Sequence, residues 1–140
     1  MKHALIRRHC LGGVDYHIQQ GDLKTAIATY KSLAADSGLP QPYRDAALVR
    51  QTALEFDQIQ PQEVISRLQA LAKPGEPWFG SAGEMTALAL VKQGKRAEAG
   101  QLFATIAKDN TVPSSIRDRA TQLAASFGVD VSAALQSQAG

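Results

Sequence analysis

Residues 21–47 of the chain recur about 73 residues later as residues 94–120. The identical residues include turn formers, small residues and charged residues: Gly21/Gly94, Ala26/Ala99, Ala34/Ala107, Asp36/Asp109, Pro40/Pro113, Arg44/Arg117, Asp45/Asp118 and Ala47/Ala120. Apolar pairs in the same register are Tyr30/Phe103, Leu33/Ile106 and Leu39/Val112. The offset is about twice the 34-residue helix–turn–helix unit of helical repeat proteins. The recurrence therefore predicts a fold built from successive helical pairs.

Apolar spacings of three and four residues predict the helices themselves. Turn signals divide the chain into helices after Gly21, after Pro42, from Pro61, from Pro77 to Gln93, from Lys95 to Lys108, and from Pro113 to Phe127. A short tail helix over residues 131–135 would be a seventh. Aromatic residues make up only 6% of the chain and no segment alternates strictly, so no strand is predicted. The expected fold class is an all-α helical-pair solenoid of about six to seven helices.

A degenerate unit lies halfway between the two matching segments. Ile59, Val64, Leu68 and Leu71 stand at the positions of Gly21, Ala26, Tyr30 and Leu33. The shared pattern of a turn glycine, a small residue, a bulky residue and an aliphatic residue resembles the second half of a tetratricopeptide repeat. A small residue lets paired helices approach closely, and a bulky neighbour fills the groove beside it.

A narrower resemblance is carried by four stretches: YKSLAAD at 30–36, YRDAAL at 43–48, PWFGSAGE at 77–84 and PSSIRDRA at 113–120. They resemble the alphaproteobacterial branch of the YfgM-like tetratricopeptide family, relatives of an ancillary subunit of the Sec translocon. The similarity covers about residues 19–128. It implies a non-catalytic scaffold associated with the inner membrane on its periplasmic side. A cytoplasmic location is the alternative.

The start of the chain departs from that family pattern. Family members carry an N-terminal membrane anchor, whereas residues 1–20 contain none, and Leu11, Gly12 and Gly13 interrupt the place of the first leading helix. We expect a poorly structured or truncated segment over 1–20, a repeat domain over 21–128 and a tail over 129–140. A fragment, a shortened reading frame and a relative without its anchor all fit this expectation.

Charge and cysteine content exclude several classes of function. A net charge of +2 is too small for a nucleic-acid footprint, and the single cysteine, Cys10, excludes an internal disulfide framework. No apolar run is long enough to span a bilayer. Phosphate-binding loops, nucleophile elbows and zinc-protease motifs do not occur in the sequence. We therefore expect no enzyme activity and no cofactor.

The N-terminal segment nevertheless holds residue types that bind metals. His3, His9, Cys10 and His17 fall there, in a spacing that matches no known site, so an exposed tail is the favoured interpretation. The basic residues Lys2, Arg7 and Arg8 suit contact with acidic lipids or nucleic acid, or a solvated terminus. Solvation is again the favoured interpretation.

Three further features allow both a functional and a structural interpretation. Glu84 is expected to face a binding groove or the arginine of a neighbouring helix. Arg44-Asp45 and Arg117-Asp118-Arg119 recur at the repeat offset. Either they form a row of charges that binds a peptide carboxylate, or they form structural ion pairs. Trp78 either fixes the start of its helix into the core or is an exposed anchor for a partner.

The expected function is binding of a helix or an extended peptide in a groove lined by the first helix of each unit. The predicted groove residues are Arg50, Gln51, Glu55, Trp78, Glu84, Thr86 and Lys92. Alternatives are a self-assembling structural domain, or a metal-binding protein that uses the N-terminal His/Cys cluster. Where a leading helix is missing, we expect self-association or completion by a partner's helix.

Overall fold

The computed structural model describes residues 22–132, which are all-helical and contain six helices and no strand. The helices are α1 (Leu23–Ala35), α2 (Gln41–Glu55), α3 (Pro61–Leu68), α4 (Phe79–Lys92), α5 (Arg96–Lys108) and α6 (Ser114–Ser126). The chain divides into two compact units, residues 1–58 and 59–140. The boundary falls inside the predicted repeat domain, at the start of the degenerate unit.

The first unit contains the helical pair α1–α2. Asp22 begins α1 as an N-cap, its carboxylate accepting a hydrogen bond from the backbone N–H of Thr25 at 3.1 Å. Ala26, Tyr30 and Ala47 form the buried core between the two helices. The alanines let the helices approach closely, and the Tyr30 ring fills the adjoining space.

The second unit contains α3 to α6, and each helix packs against the next one in the chain. α4 also contacts α6. Its core is built around two aromatic rings, Phe79 and Phe103, surrounded mainly by alanines. Phe103 stacks on Phe127 with ring centroids 6.0 Å apart, and Arg96 lies over the Phe127 ring at 5.0 Å. Phe127 thereby closes the core at the end of α6.

The local geometry of α1–α2 matches that of α5–α6 at the offset found in the sequence. α1 and α5 are both 13 residues long. The residues before α2 and α6, Pro40 and Pro113, have φ/ψ of −57°/145° and −53°/141°. Ala26 and Ala99 are both fully buried at matching positions. The two helical pairs therefore agree at these positions, although α2 has 15 residues and α6 has 13.

Aspartates shape the loops of both pairs. Asp36 accepts a hydrogen bond from the N–H of Gly38, and Asp109 accepts one from the N–H of Thr111, both at 2.9 Å. Near the end of the described chain, the hydroxyl and the N–H of Ser132 donate to Asp130 in the same way and lower the pKa of its carboxyl group.

Gly94 ends α4 in the way the sequence predicts. Its φ of +79° is a left-handed conformation that a residue with a Cβ adopts only under strain. The N–H of Gly94 donates to Val91 and that of Lys95 to Leu90, at 2.9 Å each. This pair of bonds is the Schellman arrangement that satisfies the last carbonyls of a helix.

The structure differs from the sequence prediction at several helix ends and apolar positions. α3 ends at Leu68, so the buried Leu71 lies in the turn that follows the helix and not in the helix itself. α4 begins at Phe79, because the turn over 73–77 continues to its N-cap. Leu23 and Tyr43, predicted on apolar helix faces, are 43% and 41% exposed. The tail helix beyond Ser132, the His/Cys cluster and the glycine pair lie outside the described residues.

The fully buried alanines predict a specific sensitivity to side-chain volume. Ala99→Leu should lower the free energy of unfolding by about 1–3 kcal/mol, because added methylenes force α5 away from its neighbours. Ala26→Leu should have a similar effect in the first unit. Chemical denaturation measures both changes. The matched control is Ala97→Leu at an exposed position of α5, with an expected change within about 0.5 kcal/mol. Equal effects at Ala97 and Ala99 would contradict the close contact.

Candidate functional site

The seven predicted groove residues divide between the two units. Arg50, Gln51 and Glu55 lie on α2 in the first unit. The other four lie on α4 or at its start in the second unit: Trp78, Glu84, Thr86 and Lys92. The two groups are described separately.

Among the three residues of the first unit, only Arg50 is exposed. Gln51 is buried, and its side-chain amide donates to the Glu55 carboxylate at 3.2 Å. Glu55 is half-buried. The four-residue spacing brings Gln51 and Glu55 together on one helix face. Gln51 therefore contributes to packing and offers little surface to a ligand.

The four residues of the second unit are spread along α4. Thr86 is buried, and its hydroxyl donates to the carbonyl of Ala82 at 2.8 Å. Lys92 is exposed on the last turn, where a cation interacts favourably with the helix dipole. Trp78 stands at the opposite end of this 14-residue helix, about 20 Å away. Trp78 and Lys92 therefore do not converge on a single pocket.

Glu84 pairs with an arginine of a neighbouring helix, one of the two arrangements predicted for it. Its carboxylate accepts two hydrogen bonds from Nη2 of Arg119 on α6, at 3.0 and 3.2 Å. The Glu84 side chain is 21% exposed and that of Arg119 is 55% exposed. This ion pair joins α4 to α6 beside the core.

The two arginines that recur at the repeat offset occupy similar environments. Arg44 donates to the side-chain oxygen of Gln41, and Arg117 donates to that of Asn110 at 3.2 Å. In both residues Nε is buried and has no hydrogen-bond partner among the described residues. Each guanidinium is therefore held close to the start of its own helix, which favours the structural interpretation of these motifs.

Trp78 lines a cleft of about 250 Å³ in the second unit. The turn before α4 and its first residues form one wall, and the loop before α6 and its first turn form the other. The lining residues are Gly75, Glu76, Pro77, Trp78, Gly80, Ser81, Thr111, Val112, Pro113 and Ile116. The half-buried indole therefore both packs and remains accessible. Of the seven predicted residues, Trp78 alone lines this cleft.

A close contact between α4 and the loop before α6 creates the cleft. A Cβ on Gly80 would lie 2.7 Å from Cγ1 of Val112, too close for any side chain unless Val112 moves. Trp78 and Pro113 are the N-cap residues of α4 and α6, and neither gives its helix a side-chain cap in the described part of the chain. Residues at the starts of both helices therefore line the cleft, and Glu76 adds a carboxylate to its lining.

The second wall of the cleft was missed in the sequence. Thr111, Val112, Pro113 and Ile116 line it, and none of them is among the predicted groove residues. The signal that could have located them is the glycine one turn after Pro77, at Gly80, because a buried helical glycine marks a close approach by another element.

Within residues 22–132, no three or more His, Cys, Asp or Glu side chains are grouped to hold a metal ion. No helix in that range is long and apolar enough to cross a membrane. His3, His9, Cys10 and His17 lie outside it.

Comparisons with protein-family models, with curated proteins and with solved structures find no match to this chain.

The Glu84–Arg119 pair predicts a small coupling that depends on salt. In a double-mutant cycle of Glu84→Ala and Arg119→Ala, we expect a coupling energy of about 0.2–1 kcal/mol, because both side chains contact water. The coupling should fall in 1 M NaCl, where the screening length is about 3 Å. Urea denaturation at two salt concentrations measures it. A coupling that salt leaves unchanged would contradict an electrostatic origin.

Proposed function

We propose that the protein is a non-catalytic protein–protein interaction scaffold that binds a segment of a partner at the Trp78 cleft. The observation that carries this proposal is a half-buried tryptophan in an open cleft with Pro77, Val112, Pro113 and Ile116. Tryptophan is enriched at the energetic centres of protein interfaces. Aliphatic and proline side chains around it provide apolar area for one or two side chains of a peptide.

The matching helical pairs support a scaffold role. Helical-pair repeats present binding surfaces on a fixed frame, and their sequence motifs serve mainly packing. The α1–α2 and α5–α6 pairs share cap geometry and buried alanines, as tetratricopeptide-like units would. In this proposal, Trp78 contributes binding energy, while Glu84 joins α4 to α6 through its ion pair with Arg119.

The resemblance to YfgM-like proteins supplies the cellular setting of the proposal. In this proposal the scaffold acts at the inner membrane on the periplasmic side, among translocon and chaperone components. A cytoplasmic scaffold with the same cleft is the alternative location. The exposed Leu23 and Tyr43 favour self-assembly as a second candidate function, because large apolar side chains at the surface are suited to contacts between copies.

The cleft can be tested directly because Trp78 is the only tryptophan of the chain. Proteins captured from a bacterial membrane and periplasmic extract would be purified singly and titrated against the scaffold. A partner bound at the cleft should change the intrinsic tryptophan fluorescence. Trp78→Ala should weaken capture and affinity by about tenfold or more, the effect of losing a central interface aromatic.

Two control variants separate the cleft from the rest of the surface. Tyr43→Ala removes an exposed aromatic residue of the first unit and should leave capture unchanged. Arg50→Glu reverses an exposed charge on α2 and tests the groove that the sequence predicts. Loss of capture with Arg50→Glu alone would move the site to α2. Recovery of only the protein itself, with Trp78→Ala and Arg50→Glu alike, would contradict the proposal, and a loss of this self-capture in Tyr43→Ala would favour self-assembly.

A further inference from the structure

Both walls of the Trp78 cleft carry hydrogen-bond acceptors. On the wall formed by the turn before α4, Glu76 is exposed and is the one residue with a charged side chain among the described residues that line the cleft. Within residues 22–132 its carboxylate has no ion-pair partner. Because an ionised carboxylate accepts hydrogen bonds and donates none, this wall offers a full negative charge to a ligand.

The backbone of the turn holds Glu76 in place beside the tryptophan. The N–H of Glu76 donates to the carbonyl of Lys73 at 3.1 Å, and its carbonyl accepts from the N–H of Phe79 at 3.0 Å. Pro77 follows directly, and a residue before proline has a restricted backbone. The backbone that carries this carboxylate is therefore ordered before a ligand binds, which lowers the entropy cost of binding.

The opposite wall contributes a second acceptor through Thr111. The N–H and the hydroxyl of Thr111 donate to Oδ1 of Asp109, at 2.9 and 2.6 Å. Because the hydroxyl proton is directed to Asp109, the hydroxyl oxygen is left to accept a further hydrogen bond. The two walls together are suited to a ligand with several N–H donors.

An anionic ligand fits this lining less well. The starts of α4 and α6 would by themselves favour an anion, because the first N–H groups of a helix carry partial positive charge. The N–H of Phe79 already donates to the carbonyl of Glu76, and that of Ile116 donates to the carbonyl of its own N-cap residue. A carboxylate or phosphate in the cleft would also lie close to the Glu76 carboxylate, and like charges repel. The charge of the lining therefore favours a cation.

The indole of Trp78 favours a cation that also has an apolar part. The face of an aromatic ring attracts cations, and tryptophan does so most strongly. Pro77, Val112, Pro113 and Ile116 supply apolar area in the same cleft. A positively charged head on an aliphatic stem matches both parts of the lining.

The size of the cleft and the shape of the cation select among such ligands. The cleft has a volume of about 250 Å³. Pockets for drug-sized molecules have about 300–1,000 Å³, so this cleft suits a single long side chain. Of the two basic side chains, arginine is the better match. Its planar guanidinium stacks on aromatic faces, is less strongly hydrated than an ammonium, and presents forked donors to a carboxylate.

We propose that the Trp78 cleft binds an arginine side chain of the partner's segment, an inference that rests on the proposed function. The guanidinium stacks on the indole of Trp78 and donates to the carboxylate of Glu76. The hydroxyl oxygen of Thr111 accepts from another of its N–H groups, and the aliphatic stem contacts Pro113 and Ile116. The partner's segment is therefore basic at the position that enters the cleft.

Capped pentapeptides test this ligand class on the full chain. They differ only at the central residue, which is arginine, its neutral isostere citrulline, lysine, leucine or glutamate. Binding is followed by the NMR shift of the Trp78 indole N–H, a single signal because the chain has one tryptophan. The arginine peptide should have the lowest Kd, about tenfold below that of the citrulline peptide, because citrulline keeps the shape and loses the charge.

A matched pair of variants tests the role of the carboxylate. Glu76→Gln should raise the Kd of the arginine peptide by about tenfold and abolish its advantage over citrulline. Glu98→Gln removes an exposed carboxylate of α5 outside the cleft and should change this Kd by less than about twofold. Far-UV circular dichroism confirms that both variants retain their helices.

Several results would overturn the inference. These are equal affinity for the arginine and citrulline peptides, tightest binding of the lysine, leucine or glutamate peptide, no Trp78 shift with the arginine peptide, and equal effects of Glu76→Gln and Glu98→Gln.

Capture of the partner separates this inference from the proposed function. Glu76→Lys should weaken capture by about tenfold or more, because it places a like charge against the arginine. If Trp78→Ala weakens capture and Glu76→Lys does not, the arginine is wrong and the cleft remains the binding site. If neither variant weakens capture, the proposed function fails as well.

Discussion

The close approach of helices at small residues is the constraint on which the rest of the structure depends. Ala26 in the first unit, and Ala99 and Gly83 in the second, are buried where another helix lies against the backbone. Each small residue leaves a groove that a larger neighbour fills: Tyr30, Phe103 and Ile106 respectively. With few aromatic residues, the chain relies on these contacts and on alanine-rich surfaces for its core.

The cleft at Trp78 is a consequence of one such contact. Gly80 brings the start of α4 against Val112, which leads into α6. Residues from both helix starts then line one cleft together with the half-buried indole of Trp78. The Glu84–Arg119 pair joins the same two helices one turn further along α4. The site is therefore formed by the ends of two packed helices, and its geometry follows from their packing.

Much of the fold could be predicted from the sequence, because helix spacing and repeat register are local properties. The Asp36/Asp109 and Pro40/Pro113 pairs mark the same loop geometry in both helical pairs. The candidate site could be predicted less well from the sequence. Thr86 and Gln51 are polar residues that the structure buries, since polar side chains on a helix can bond within it. The second wall of the cleft depends on the contact between Gly80 and Val112, which are about 30 residues apart in the chain. The spacing of apolar residues within a helix does not predict such a contact.

Within the second unit, each helix packs mainly against its successor, and α4–α6 is the contact that skips one helix. Most contacts there are consequently short in sequence, so the entropy of loop closure is small for all but that one. Such a topology favours fast assembly, with adjacent helices pairing before α4 and α6 meet. The cleft, which depends on α4 and α6 together, would then be among the last features to form and among the first to open in local unfolding.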